Sequence, residues 1–169
     1  MCAPLPSILA DLHTPRGWLA SRTVGVETTR FGYDAIGNLT DAIDANGAAT
    51  RNRYDPLGRP IETLDPLGGS TRTQYDPLGQ VARVTDPINV ATAYRVDGLG
   101  NLASESSPDS GAAASTFDAA GNLLSRTDAI GQTLVYAYDA LNRLTRIGDA
   151  SGPLVAYAWD TALAGKLAG

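Results

Sequence analysis

Cysteine, histidine, lysine and methionine are nearly missing from this chain: Cys2, His13, Lys166 and Met1 are the single examples in 169 residues. No disulfide can form within the chain. A zinc site built from Cys and His is excluded by count, and a His-dependent triad could use only His13. Aromatics are scarce at 7%, and much of the 43% hydrophobic content is alanine. That is enough apolar material to fold, yet thin for one densely packed core. No apolar run is long enough to cross a membrane as a helix. Residues 1–10 lack the basic start of a signal peptide, and Pro4 and Pro6 interrupt their apolar stretch. A formal net charge of −5 argues against nucleic acid or an anionic membrane as the main partner.

What the chain has in quantity is 18 Gly, 10 Pro and 15 Asp, and these follow an internal repeat. Tyr33-Asp34, Tyr54-Asp55, Tyr75-Asp76, Val96-Asp97, Phe117-Asp118, Tyr138-Asp139 and Trp159-Asp160 stand 21 residues apart. With the aromatic as position one, Asp follows at two and Gly at five: Gly37, Gly58, Gly79, Gly100 and Gly121, with Asn142 in the sixth unit. An apolar residue recurs at seven (Leu39, Val81, Leu102, Leu123, Leu144), Pro60 being the exception. A second Asp recurs at twelve (Asp44, Asp65, Asp86, Asp128, Asp149), followed by Gly or Asn at fifteen.

Each unit therefore carries two Asp-x-x-Gly turns. Asp caps the turn with its side chain, Pro at the next position (Pro56, Pro66) presets φ, and Gly or Asn accepts a positive φ. Between the turns lie short stretches of period two. Leu134, Tyr136 and Tyr138 share one face, as do Val155, Tyr157 and Trp159, and Thr29, Phe31 and Tyr33. The pattern predicts an all-β fold, an antiparallel hairpin meander with two strands per unit and no helix of note. The fourth unit is eroded: Ser104–Ala114 loses its apolar position and shifts its turn to Pro108-Asp109-Ser110-Gly111, yet keeps its length. Residues 21–169 read as the repeat region, about seven units ending inside a unit, with Ser21-Arg22-Thr23 an echo one residue out of register. Residues 1–20 receive no assignment.

The sequence Tyr-Asp-x-x-Gly-(Arg/Asn)-Leu, then Asp-x-x-Gly and a return to Tyr-Asp, resembles the RHS/YD-repeat family over nearly the whole chain. Trp159-Asp160-Thr161-Ala162 with Gly165-Lys166-Leu167 is similar to a family variant that carries a short insertion; Val96, Asn142 and the eroded unit depart from the pattern. The resemblance implies a long β-ribbon wound into a hollow shell. It implies a role beside a toxin domain encoded elsewhere or beside remaining shell segments, and export by a secretion system to the exterior or cell surface. Family members include bacterial polymorphic toxins, the C component of insecticidal toxin complexes and the animal teneurins. Fourteen strands at about 4.8 Å run on the order of 65 Å, a curved ribbon or partial β-shell. The family's self-cleavage segment has no counterpart here.

Sharper chemistry finds little support. Of the 15 Asp, 12 occupy positions two or twelve, so turn capping accounts for them better than acid–base catalysis does. The calcium-binding β-helix uses a nine-residue unit, unlike this period. Gly98-Leu99-Gly100 lacks the third Gly of a phosphate loop. Neither an enzyme, a metal nor a cofactor is expected. Ten of the 11 aromatics stand at positions one and twenty. Such a row packs a sheet; the alternative is a solvent-facing stripe that binds a glycan or a cell-surface partner. Full burial would make Tyr75→Ala and Trp159→Ala cost roughly 3–5 kcal/mol.

Overall fold

The computed structural model describes residues 9–159 and the backbone of residues 167–168. Cys2, Asp160 and Lys166 lie outside the described residues, as does the loop of the C-terminal insertion. Every regular element among the described residues is a strand: β1 (Leu9–His13), β2 (Leu19–Val24), β3 (Glu27–Tyr33), β4 (Leu39–Ile43), β5 (Ala49–Tyr54), β6 (Pro60–Leu64), β7 (Ser70–Tyr75), β8 (Val81–Thr85), β9 (Ala91–Val96), β10 (Leu102–Ser107), β11 (Gly111–Phe117), β12 (Leu123–Thr127), β13 (Thr133–Tyr138), β14 (Leu144–Asp149) and β15 (Gly152–Ala156). These fifteen follow one another in sequence order in one sheet, and β1 and β15 are not neighbours, so the sheet is an open meander. A separate pair, β16 (Ala158–Trp159) and β17 (Leu167–Ala168), is antiparallel with Trp159 opposite Leu167.

By contacts the chain forms two compact units, residues 1–74 with 85–89 and residues 75–84 with 90–169. In the first, Arg30 pairs Ile43, Gly32 pairs Asp41 and Asp41 pairs Arg51; Arg51 pairs Leu64, Arg53 pairs Glu62 and Glu62 pairs Arg72. Paired residues point the same way, so one face carries a row of charges. Arg53 and Arg72 each lie 3.0 Å from a Glu62 oxygen. The other face holds Phe31, Ala42, Thr50, Asn52, Thr63 and Thr71. In the second unit the corresponding face holds Ala113, Leu134, Tyr136, Ile147 and Val155. Glu105 and Arg126 sit on that same face and approach to 3.9 Å.

The same irregularity recurs in five units. Tyr33 pairs Leu39 while Gly32 pairs Asp41, leaving Thr40 unopposed. The same step leaves Ile61, Ala103, Leu124 and Thr145 unopposed beside Tyr54, Val96, Phe117 and Tyr138. This is a β-bulge at position eight, one extra residue that bends the strand and re-aims its neighbours.

Upstream, the part of residues 1–20 that is described belongs to the meander. β1 pairs β2 and repeats the bulge, with His13 opposite Leu19. Thr14 stands in for the turn Asp: Gly17 donates to the Thr14 carbonyl at 2.9 Å and the Trp18 amide to its Oγ1 at 3.1 Å. The next hairpin closes on Gly25-Val26 alone, with Val24 opposite Glu27. Its pairs Thr23 and Thr28 enclose one residue fewer than Ile43 and Ala49 do. That deletion puts Ser21-Arg22-Thr23 one place out of register. In the fourth unit, Ser106 opposite Ala112 encloses the usual number of residues with Ser107 opposite Gly111, so length is kept while the turn changes.

No hydrophobic side chain among the described residues is fully buried. The position-one rings are half-buried, which corrects the size of effect that full burial would give. About half of the ~1.5–3 kcal/mol of a buried ring, plus about 1 kcal/mol for a hydrogen bond at its tip, sets the cost of Tyr54→Ala near 2 kcal/mol.

Candidate functional site

The repeated turn is the best-determined piece of chemistry in the chain. At Asp34 the Gly37 amide donates to the Asp34 carbonyl at 3.3 Å, and the Asp34 amide donates to the Asn38 carbonyl at 3.0 Å. The carboxylate Oδ1 accepts from the amides of Ile36 and Asn38 at 3.0 and 2.9 Å. Asp55, Asp76, Asp97, Asp118 and Asp139 repeat this arrangement, each accepting from the amides two and four residues on. The fourth turn residue has positive φ throughout: Gly37, Gly58, Gly79, Gly100 and Gly121, and Asn142 at 60°.

Position six completes the turn, a pairing that the residue pattern displayed but that its mechanism alone reveals. Asn38, Asn101 and Asn122 donate through Nδ2 to the second carboxylate oxygen of Asp34, Asp97 and Asp118 at 2.8, 3.0 and 2.9 Å. Arg59 and Arg143 do so through Nε to Asp55 and Asp139 at 2.7 Å. The Asn122 and Asn101 side chains, then their backbone amides, hold Asp118 and Asp97 below the usual carboxylate range. The Arg59 amide leads the same effect at Asp55, and the Arg143 guanidinium at Asp139. At Asp34, desolvation is the largest influence and pushes upward, but Asn38, Ile36 and Gly37 together outweigh it.

Position six also reaches forward into the next unit. A Cβ on Gly37 would lie 2.8 Å from the Trp18 ring, and one on Gly58 3.4 Å from Asn38. Trp18 packs on Tyr33 at 5.4 Å between centroids, and Arg143 covers Trp159 at 5.4 Å. Three of the ring tips then find a backbone carbonyl at position seven of the unit before. Tyr33 Oη donates to Leu19 at 3.0 Å, Tyr54 Oη to Leu39 at 2.9 Å and Trp159 Nε1 to Leu144 at 2.8 Å. Phe117 stands opposite Leu123 and Tyr138 opposite Leu144; Tyr75 ends β7 and is half-buried. A ring at position one is thus seated in a nest made by positions six and seven of the preceding unit and position five of its own. About half of the exposed large apolar residues are turn tips, such as Ile36, Leu57, Leu78, Leu99 and Leu141, and the rest lie on strands, among them Val81, Leu102 and Val155.

These features define a hairpin-repeat protein whose repeated unit is a ring seated on the turn before it. The chain belongs to the RHS-repeat family, which matches residues 33–71, 54–87, 75–112 and 117–162. Among solved structures, TcdB2-TccC3 without its hypervariable C-terminal region aligns over 92% of this chain and 10% of its own, at 16% identity and a TM-score of 0.70. A Photorhabdus luminescens Tc holotoxin pore aligns over 85% of this chain and 9% of its own, at 16% identity and a TM-score of 0.66. At such identity the likeness is one of fold, and this chain spans about a tenth of those chains' length. No curated protein matches it by sequence at a significant level.

Proposed function

We infer that this chain is a wall segment of an RHS shell that encloses or presents a toxin domain encoded elsewhere, and that its work is structural. The observation that carries this is the single sheet of fifteen strands with one ring-bearing face and no fully buried hydrophobic side chain among the described residues. A sheet of this kind has period, register and turns fixed by local chemistry, and leaves one face to lie against something else. Carboxylates that would serve acid–base chemistry are held as turn acceptors, which supports a role without catalysis. Membership in the RHS-repeat family and the fold of TccC3-containing assemblies support the shell reading and release to the exterior.

Reading the coding sequence beyond Gly169 tests this directly. Further 21-residue units followed by an unrelated domain support enclosure; a wall anchor with no such domain overturns it. On a glycan array the chain is expected to bind nothing, because the tips of Tyr33, Tyr54 and Trp159 are already engaged with backbone carbonyls. Saturable glycan binding lost in Tyr75→Ala would favour the surface-adhesion role instead.

A further inference from the structure

One unit lacks its ring. Position one of the fourth unit is Val96, and the nest that seats a ring elsewhere is an open cavity of about 560 Å³ there. Its lining residues are those of the nest: Gln80 and Val81 at positions six and seven of the preceding unit, Val96 itself, and Gly100 at position five. Tyr94 and Leu102 add apolar wall. All belong to one compact unit. The volume lies within the roughly 300–1,000 Å³ usual for small-ligand pockets.

The polar equipment fits a ring with a donor at its far edge. Val81 occupies the place held by Leu19, Leu39 and Leu144 in the nests whose carbonyls accept from Tyr33, Tyr54 and Trp159. Valine at position 96 has no donor to offer the Val81 carbonyl. Beside it, Gln80 Oε1 is buried without a hydrogen-bond partner. An apolar occupant would bring no donor to the Val81 carbonyl, whereas a phenol or indole would bring one.

We propose that the Val96 nest is a binding socket for a tyrosine or tryptophan side chain presented by another polypeptide, seated as Tyr54 and Trp159 are seated in their own nests. The source of that side chain, a segment held against the ring face, rests on the shell reading; the socket rests on the chain's own geometry. Binding of a free ring therefore separates the two: the socket can fill in a chain that encloses nothing.

The probes are p-cresol, toluene and N-acetyl-tyrosinamide, titrated against the 169-residue chain while the methyl resonances of Val81, Val96 and Leu102 are followed by NMR. p-Cresol and N-acetyl-tyrosinamide are expected to saturate with Kd on the order of 1 mM, and toluene to bind about fivefold more weakly for want of one hydrogen bond. Val96→Tyr fills the nest from within and is expected to abolish the shifts while raising the unfolding midpoint. Absence of saturable binding, equal affinity for toluene and p-cresol, or unchanged binding in Val96→Tyr would each overturn the proposal.

Discussion

Glu62 is the most heavily bonded carboxylate of the charged face, accepting from the Ser70 hydroxyl at 2.8 Å and from Arg72 and Arg53 at 3.0 Å. Those bonds, Ser70 first, lower it from the ordinary 4.5 to about 2. Asp55, Asp97, Asp118 and Asp139 are lowered as well, by their position-six partners. Carboxylates lowered in the folded state contribute stability that is complete above their unfolded values, near 4, and lost as pH falls through the folded ones. The urea midpoint is therefore expected to hold from pH 7 to pH 5 and to fall steeply between about pH 4.5 and 2. Glu62→Gln should lower the pH 7 midpoint and flatten that fall; an equally steep fall in the variant would contradict the assignment. Tyr54→Phe removes only the bond to Leu39 and should cost about 1 kcal/mol by denaturant unfolding. Gly37→Ala combines φ of +100° with the Trp18 ring at 2.8 Å, whereas Gly47→Ala at +84° meets nothing within 4 Å. The second should cost about 1–2 kcal/mol and the first clearly more, a difference that measures the seating of Trp18 on the next turn.

At the scale of strands and turns, the odd period is reconciled with two-sided strands by loops of fixed length and one bulge. Arg30, Arg51 and Arg72 fall on one face in successive units because each hairpin adds the same offset. Inserting one alanine after Asn52 would turn Tyr54 to the charged face. Amide exchange protection in β5 and β6 is expected to fall by at least about tenfold. The turns were legible in the sequence because Asp, Pro, Gly and Asn act through their own side chains and φ preferences. The bulge was not, since Thr40, Ile61, Ala103, Leu124 and Thr145 share no side-chain character; the extra residue is a property of backbone pairing. The hairpin before Glu27 escaped notice because Gly25-Val26 shortens the spacing, and the Thr14 turn because Thr replaces Asp. The ring nests were half-legible: the aromatic period was plain, but the carbonyl that the tips of Tyr33, Tyr54 and Trp159 find lies about fifteen residues upstream and carries no side-chain signature.

Over the whole molecule, the sheet is stabilised strand by strand without a hydrophobic interior among its described residues. Stability of this kind adds up from neighbours, as in other repeat proteins, and among the described residues it leaves the ring face and the outer edges of β1 and β15 to further protein. Concentration-dependent association of the isolated chain in sedimentation velocity is expected, and a strict monomer at all concentrations would count against open edges. The central claim is that the ring face encloses another polypeptide. It is tested most directly by producing this chain together with the toxin domain and remaining shell segments it is inferred to accompany, and following protease digestion of the toxin part. The account predicts that this part survives as long as the repeat sheet stays folded and is cut once acid or urea unfolds it. Cutting at the same rate with the repeat region intact and with it deleted would contradict the claim.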